Sequence, residues 1–365
     1  MTKKKLKLKK LNLKKPNIKL PRRRKSVEEK VSDAISNVPR ITNETVSEHR
    51  EDVLSSARKY IYPLQHSKHK VVRYSIGIFF LVIILFFGFC LLDLYEFQGS
   101  SGFIYDVTKI IPFPVGKTGG GWISYESYLF ELRRDIHYYT TQQQANFSSK
   151  DGKNQLQRIK TQAMNQAVNN ELVNILASNN KVTVSNQAVN NELNIVKTEN
   201  RLGSSQQVFK EVLSQYWGWT ISDFKRELKN QLLQQAVVSK LDTTTHQKAE
   251  LTLSQLNSGA DFATLAAKVS DDISTRNSGG QYPNPISVDD QQISPIITQE
   301  LFKLQPNQIS PIINTGYTLE ILKVIDKSTS SLHGAHIQFN FKDITVYTKP
   351  LLNQHPTSLY IKINS

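Results

Sequence analysis

Asp261-Phe262-Ala263-Thr264-Leu265-Ala266-Ala267-Lys268-Val269-Ser270-Asp271-Asp272 is the stretch that decides the fold. It forms a short helix followed at once by a polar turn. Before it, residues 247–256 read as another helix, stopped near Gly259. After it come Ser278-Gly279-Gly280, a loop with Pro283 and Pro285, and a helix over 294–304 ending in Leu301-Phe302-Lys303-Leu304. Ile309-Ser310-Pro311-Ile312-Ile313 reads as an edge strand, where a proline is tolerated, and residues 318–325 as a further strand. Ala335-His336-Ile337-Gln338-Phe339-Asn340-Phe341 has strand character again.

Upstream, Ile110-Ile111-Pro112-Phe113-Pro114-Val115 reads as extended, because proline restricts the residue before it. Gly119-Gly120-Gly121 makes a turn into a helix over 125–145. Leu156, Ile159, Ala163, Ala167, Leu172, Ile175 and Leu176 then recur at helical spacing. Val182-Thr183-Val184 is a short extended link, and Ser185 suits the N-cap of a helix over 186–200. Another helix over 209–216 ends at Trp217-Gly218-Trp219, and a long one follows to about residue 241.

Residues 74–92 carry no charge and cover roughly 28 Å as a helix, close to the hydrocarbon thickness of a bilayer. Without a polar stripe they are unlike a core helix. About seventy residues precede them, unlike the short basic start of a signal peptide. The formal net charge of +15 gathers on one side of this run. Residues 1–73 hold 21 basic and 7 acidic side chains, and the remainder 25 and 24. By the positive-inside tendency, the N-terminus is cytoplasmic and the chain after about residue 95 lies outside. The single cysteine, Cys90, falls within the apolar run, so the exported part is expected to hold together by packing alone. Residues 1–25 contain thirteen Lys and Arg and no acid, a composition expected to be disordered and able to touch anionic lipid or RNA. No aromatic side chain interleaves with these charges, which argues against specific RNA recognition.

Residues 110–241 resemble the N-terminal chaperone region of SurA/PrsA-type extracytoplasmic folding factors. The resemblance rests on Pro112-Phe113-Pro114-Val115, on Val182-Thr183-Val184-Ser185 before a helix, and on Tyr216-Trp217-Gly218-Trp219-Thr220 before Asp223-Phe224-Lys225. Residues 247–325 resemble the parvulin-type peptidyl-prolyl isomerases, which run Phe-Ala-x-Leu-Ala, Ser-x-Asp, Gly-Gly, a Phe-x-Leu helix end, a Ser-Pro strand and a last strand. That family opens with a His-bearing strand. Here Asp242-Thr243-Thr244-Thr245-His246 stands in its place without strand character, and residues 335–341 look like the missing strand. Because the family's first and last strands are adjacent and antiparallel, a circularly permuted domain is expected. The alternative is that 332–365 starts a degenerate repeat or an unrelated tail.

The resemblance also implies the site. Asp272 falls at the family's Asp/Cys position and His336 at its first histidine, while the second histidine is replaced by Glu320 or, on another alignment, Thr318. Two carboxylates sharing this site would raise one pKa and weaken catalysis. Ile293, Ile297 and Phe302 would line the proline pocket.

The expected chain is thus a single-pass membrane protein with an α-helical chaperone-like domain and an α+β parvulin-like domain holding a small antiparallel sheet. Its parts are a basic arm (1–70), a transmembrane helix (71–94), a linker (95–120), the helical domain (121–242), the parvulin-like domain (243–345) and a tail (346–365). The expected function is a membrane-anchored, extracytoplasmic peptidyl-prolyl isomerase and chaperone for exported polypeptides containing X-Pro bonds, with no cofactor. The alternatives are a non-catalytic holdase with a degenerate site, or an anchored scaffold whose arm binds lipid or RNA. The exported part lacks paired metal-spaced histidines, a Gly-x-Ser-x-Gly elbow and a phosphate-binding glycine loop.

Overall fold

The structure is a computed structural model describing residues 26–36, 41–61, 64–199 and 205–363. Its helices are α1 (Val27–Ser36), α2 (Asn43–Ile61), α3 (Leu64–Leu91), α4 (Gly102–Ile110), α5 (Tyr125–Gln142), α6 (Lys150–Asn179), α7 (Asn186–Glu199), α8 (Gln206–Trp217), α9 (Ile221–Leu241), α10 (Thr243–Asn257), α11 (Phe262–Val269), α12 (Pro295–Lys303) and α13 (Thr345–Gln354). The strands are β1 (Pro114–Thr118), β2 (Gly121–Ser124), β3 (Ile286–Ser287), β4 (Ile313–Asn314), β5 (Thr318–Lys327), β6 (Ser331–Asn340) and β7 (Ser358–Leu359). Contacts divide the chain into two units, residues 1–84 and 85–365.

In the first unit, α1 and α2 occupy part of the basic arm expected over 1–70. In α2, Glu44 lies in the first turn and Arg58 and Lys59 in the last, the charge order that suits the helix dipole. Residues 1–25, to which lipid or RNA contact was assigned, lie outside the described residues. Among the described residues, one helix is long and apolar enough to cross a membrane, residues Lys70–Phe97, continuing from α3 into a π-helical turn, Leu92–Phe97. Ile76, Ile78, Phe79, Phe80, Leu81 and Val82 are all exposed along it, the reverse of a core helix.

The second unit begins inside that helix and holds two layered regions. In the first region, α4, α5, α6 and α8 close over the sheet β2-β1-β7. Leu94, Ile104, Phe113 and Val115 are buried in its core, so residues 95–120 form part of the domain instead of the expected linker. The segment after 345 likewise departs from a tail. Tyr347 and Leu351 of α13 pack against Val173, Leu176 and Val237, and β7 pairs antiparallel with β1. Burial of Ile361 in the same core as Val115 supplies the reason for the return.

In the second region, the antiparallel sheet β3-β6-β5-β4 is covered by α10 and α11 on one face and by α12 on the other. Strand alternation sorts the side chains. Leu319, Ile321, Ala335, Ile337 and Phe339 meet Phe262, Leu265 and Ala266, while Leu322, Val324 and Leu332 meet Ile297 and Leu301. The strand expected over 309–313 shrinks to β4 plus one bridge, Ile309 to Lys323. Pro311 lacks the N–H that a longer ladder needs. Asp242 is wholly buried and caps α10, accepting from Thr245 N (3.2 Å) and Thr245 Oγ1 (2.8 Å), and also from Lys342 N (2.8 Å). Residues 243–246 are therefore a helix start, tied to the end of β6.

Candidate functional site

The two central strands bring the site together. β5 and β6 are antiparallel, with Leu322 opposite His336 and Glu320 opposite Gln338. The two-residue period puts Glu320 and His336 on one face as diagonal neighbours. The other edge of β6 is held by two loops. Asp271 N donates to Gln338 O (2.8 Å), Gln338 N donates to Ser270 Oγ (3.1 Å), and Asn340 N donates to Asp271 Oδ2 (2.8 Å). Further along, His336 N donates to Gly280 O (2.8 Å) and Tyr282 N donates to Gly334 O (3.0 Å). Gly280 has φ +78°, and a Cβ there would meet His336 O at 2.2 Å, so this position requires glycine. The Ser-Asp-Asp and Gly-Gly motifs are thus two clamps on one strand.

Those clamps deliver Asp272 to His336. Nε2 of His336 lies 2.9 Å from Asp272 Oδ2 and 2.9 Å from Thr275 Oγ1, and Nδ1 lies 3.0 Å from Glu320 Oε2. Thr275 Oγ1 donates to Asp272 Oδ2 (2.5 Å), and Ser274 N (3.0 Å) and Oγ (2.7 Å) donate to Oδ1. Thr318 Oγ1 donates to Glu320 Oε1 (2.8 Å), so both residues that competed for the second histidine position belong to one network. The side chains of His336 and Glu320 are buried, while that of Asp272 keeps 18% of its surface exposed and is where the cluster meets solvent.

Burial pushes the His336 pKa down, but hydrogen bonds and charge from Glu320, then Asp272, outweigh it and hold the pKa above its usual value. A carboxylate at each nitrogen favours the imidazolium, which can donate to both. Burial alone would raise the Asp272 pKa. The Thr275 and Ser274 hydroxyls, the Ser274 N–H and His336 hold it well below the carboxylate range. The two carboxylates expected in one site are both there, but the imidazole stands between them, and the Asp272 pKa is lowered where a raised one was expected.

The three residues expected to form the proline pocket lie in one apolar cluster. Ile297 is buried with Leu301, Leu322 and Val324, and Ile293 and Phe302 are half-buried against them. Two participants have no counterpart in the sequence expectation. Thr275 bridges Asp272 and His336. Tyr282 stacks on the imidazole with centroids 4.6 Å apart and rings 21° from parallel, and packs on the Ile297 cluster. Its phenol pKa is pushed far up by burial, then by the charges of Glu320 and Asp272, so it stays neutral. An aromatic residue two places after Gly280 is the one signal that pointed to it. Elsewhere, a groove of about 1200 Å³ opens among residues 181–185, α9, α10 and residues 314–316, and contains none of the site residues.

A strand pair presenting a buried imidazole to a carboxylate, next to an apolar cluster and on the sheet face away from α10 and α11, is the arrangement expected of a parvulin-type domain. The PPIC-type PPIASE domain family matches residues 232–326, and the SurA-like N-terminal domain family matches residues 65–238. Together the two matches give the chain the architecture of a SurA/PrsA-type folding factor. Among curated relatives, the chaperone SurA of Thiobacillus denitrificans is 33% identical over 105 residues, covering 27% of this chain and 23% of that protein. The foldase protein PrsA of Clostridium acetobutylicum is 26% identical over 158 residues, covering 34% and 46%. The chain thus spans a quarter to a half of the length of these relatives. A solved structure of the peptidylprolyl isomerase PrsA from Bacillus anthracis aligns with 50% of this chain and 83% of its own, at 19% identity and a TM-score of 0.16.

Proposed function

We propose that this chain is a membrane-anchored, extracytoplasmic peptidyl-prolyl cis-trans isomerase and foldase acting on unfolded exported polypeptides. The observation that carries it is His336 held between Asp272 and Glu320, two carboxylates that lie inside the region matching the PPIC-type family. Rotating an X-Pro bond breaks no covalent bond and faces a barrier of about 18–20 kcal/mol, because amide resonance is lost. The planar amide places partial negative charge on its oxygen. Beside the ionised Asp272 that form is disfavoured relative to the twisted one. Glu320 orients and charges His336, Tyr282 stacks on its ring, and His336 in turn holds Asp272. Ile293, Ile297 and Phe302 take the proline ring, and the groove beside residues 181–185 receives the extended chain.

The domain reads best as circularly permuted. The family match ends at residue 326, just before β6, and β6 carries the histidine next to β5. The exposed apolar helix is the anchor, and the +14 excess before it orients the folded unit outward.

The test is a cis-trans assay on a proline tetrapeptide with the full chain in detergent. Catalysis above background is expected, falling about 10²-fold in Asp272→Asn, the usual cost of removing one electrostatic group from a site. No rate above background, with aggregation of a denatured client still suppressed, sinks the enzyme and leaves the holdase.

A further inference from the structure

The far end of the apolar helix is gripped by the three-stranded sheet, and the open side of that grip carries the side chains of a membrane interface. Cys90 and Leu94 are wholly buried, and Phe86 packs against the same core. Tyr95 Oη donates to Pro114 O (2.6 Å) at the start of β1, and Gln98 Nε2 donates to Lys362 O (2.9 Å) just past β7. Both strands therefore lie beside the last turns of the helix. Across the sheet, Lys117 stands opposite Trp122 in β2 and Ser358 in β7. Lys117 Nζ sits 3.9 Å from the Trp122 ring centroid, and the rings of Trp122 and Tyr360 are 6.2 Å apart. Trp122 is 56% exposed and Tyr360 43%. A large aromatic pair left open beside a lysine is costly in water and well placed where one end of each side chain is apolar and the other wet. Tryptophan and tyrosine gather at the headgroup level for this reason.

We propose that the Lys117–Trp122–Tyr360 face of the sheet lies in the lipid headgroup layer of the bilayer that the apolar helix enters. The occupant follows from continuity, because the helix passes without a linker into the core this sheet covers. The helical region is then held against the membrane in one orientation, with its groove at a defined height above the lipid. This rests on the membrane anchor proposed above.

The test uses the full chain in vesicles of phosphatidylcholine and phosphatidylglycerol, with bromine near the headgroup end of the acyl chains. Bromine quenching of tryptophan is expected in the wild type, and Trp122→Phe should lose most of it. Adding Tyr360→Trp to Trp122→Phe should restore it. Equal quenching in the wild type and Trp122→Phe overturns the proposal. So does Trp122 emission that follows protein concentration or added unfolded polypeptide and ignores brominated lipid, which would make the face a dimer or client surface. Vesicle flotation separates the two readings. A chain that floats unquenched defeats the docked face alone, and a chain that does not float defeats the anchor as well.

Discussion

Both regions of the folded unit set a carboxylate into a close polar network, and they treat it in opposite ways. In the sheet region, Asp272 accepts from Thr275, Ser274 and His336, and its pKa falls. In the helical region, Glu131 on α5 is wholly buried with Arg134 2.7 Å away, yet its pKa is pushed up to about 7. Burial is the largest cause. Arg134 opposes it, and the nearby Glu227 and Asp135 add to it. The difference lies in hydrogen-bond donors. Four point at Asp272, whereas Asp135 Oδ2 and Glu227 Oε2 beside Glu131 are buried with no hydrogen-bond partner among the described residues. Two arginines, Arg134 and Arg226, spread their charge over several carboxylates and do less than donors aimed at one.

The largest test breaks the better-satisfied site. Glu320→Ala leaves the buried imidazolium without its partner at Nδ1 and should cost about 3–5 kcal/mol by denaturant unfolding. A loss no larger than that of an exposed alanine substitution would mean that His336 is neutral and the pair is not ionic.

The pH dependence sharpens the contrast. Because the folded Glu131 pKa is raised, its contribution is most favourable below the unfolded value of 4.5 and is lost as pH rises toward about 7. Glu131→Gln should therefore raise stability at pH 8 by about 1–3 kcal/mol and change little at pH 4. Trp219, over which Arg134 lies, gives a local fluorescence probe of the transition. Equal effects at both pH values would show that Glu131 does not titrate on unfolding. In the sheet region the signs differ. The Asp272 contribution is present above its unfolded 3.8 and lost as pH falls through its depressed folded value. The His336 contribution is complete below 6.5 and lost as pH rises through its raised folded value.

The smallest effect is expected at Tyr282. Its hydroxyl is buried without a hydrogen-bond partner among the described residues, so Tyr282→Phe should shift stability by no more than about 1 kcal/mol, in either direction, and leave isomerisation unchanged. A marked loss of turnover would give the hydroxyl a part in the reaction that stacking alone does not explain.

Local pattern carried much of this in advance. Helical spacing located α5 through α12, and the apolar run located the exposed helix, since both are properties of a few adjacent residues. Asp272 and His336 were legible only through resemblance, because 64 residues separate them. Neither spacing nor composition brings such a pair within 2.9 Å. Thr275 and Tyr282 were missed for the same reason: their roles depend on where the turns return the chain. The 95–120 linker and the 346–365 tail failed on a different ground. β7 is two residues long and α13 contains a proline, so neither announces an element, and each is ordered by a partner surface far away in sequence.

The sequence by itself determined helices α5 through α12, the apolar helix and the charge asymmetry around it, because helix period, chain length and net charge need no tertiary context. Only the tertiary structure decided that β6 lies against β5, that an imidazole stands between two carboxylates, and that the chain's end closes the first core. Those outcomes depend on burial and donor geometry summed over distant segments, which no local window contains.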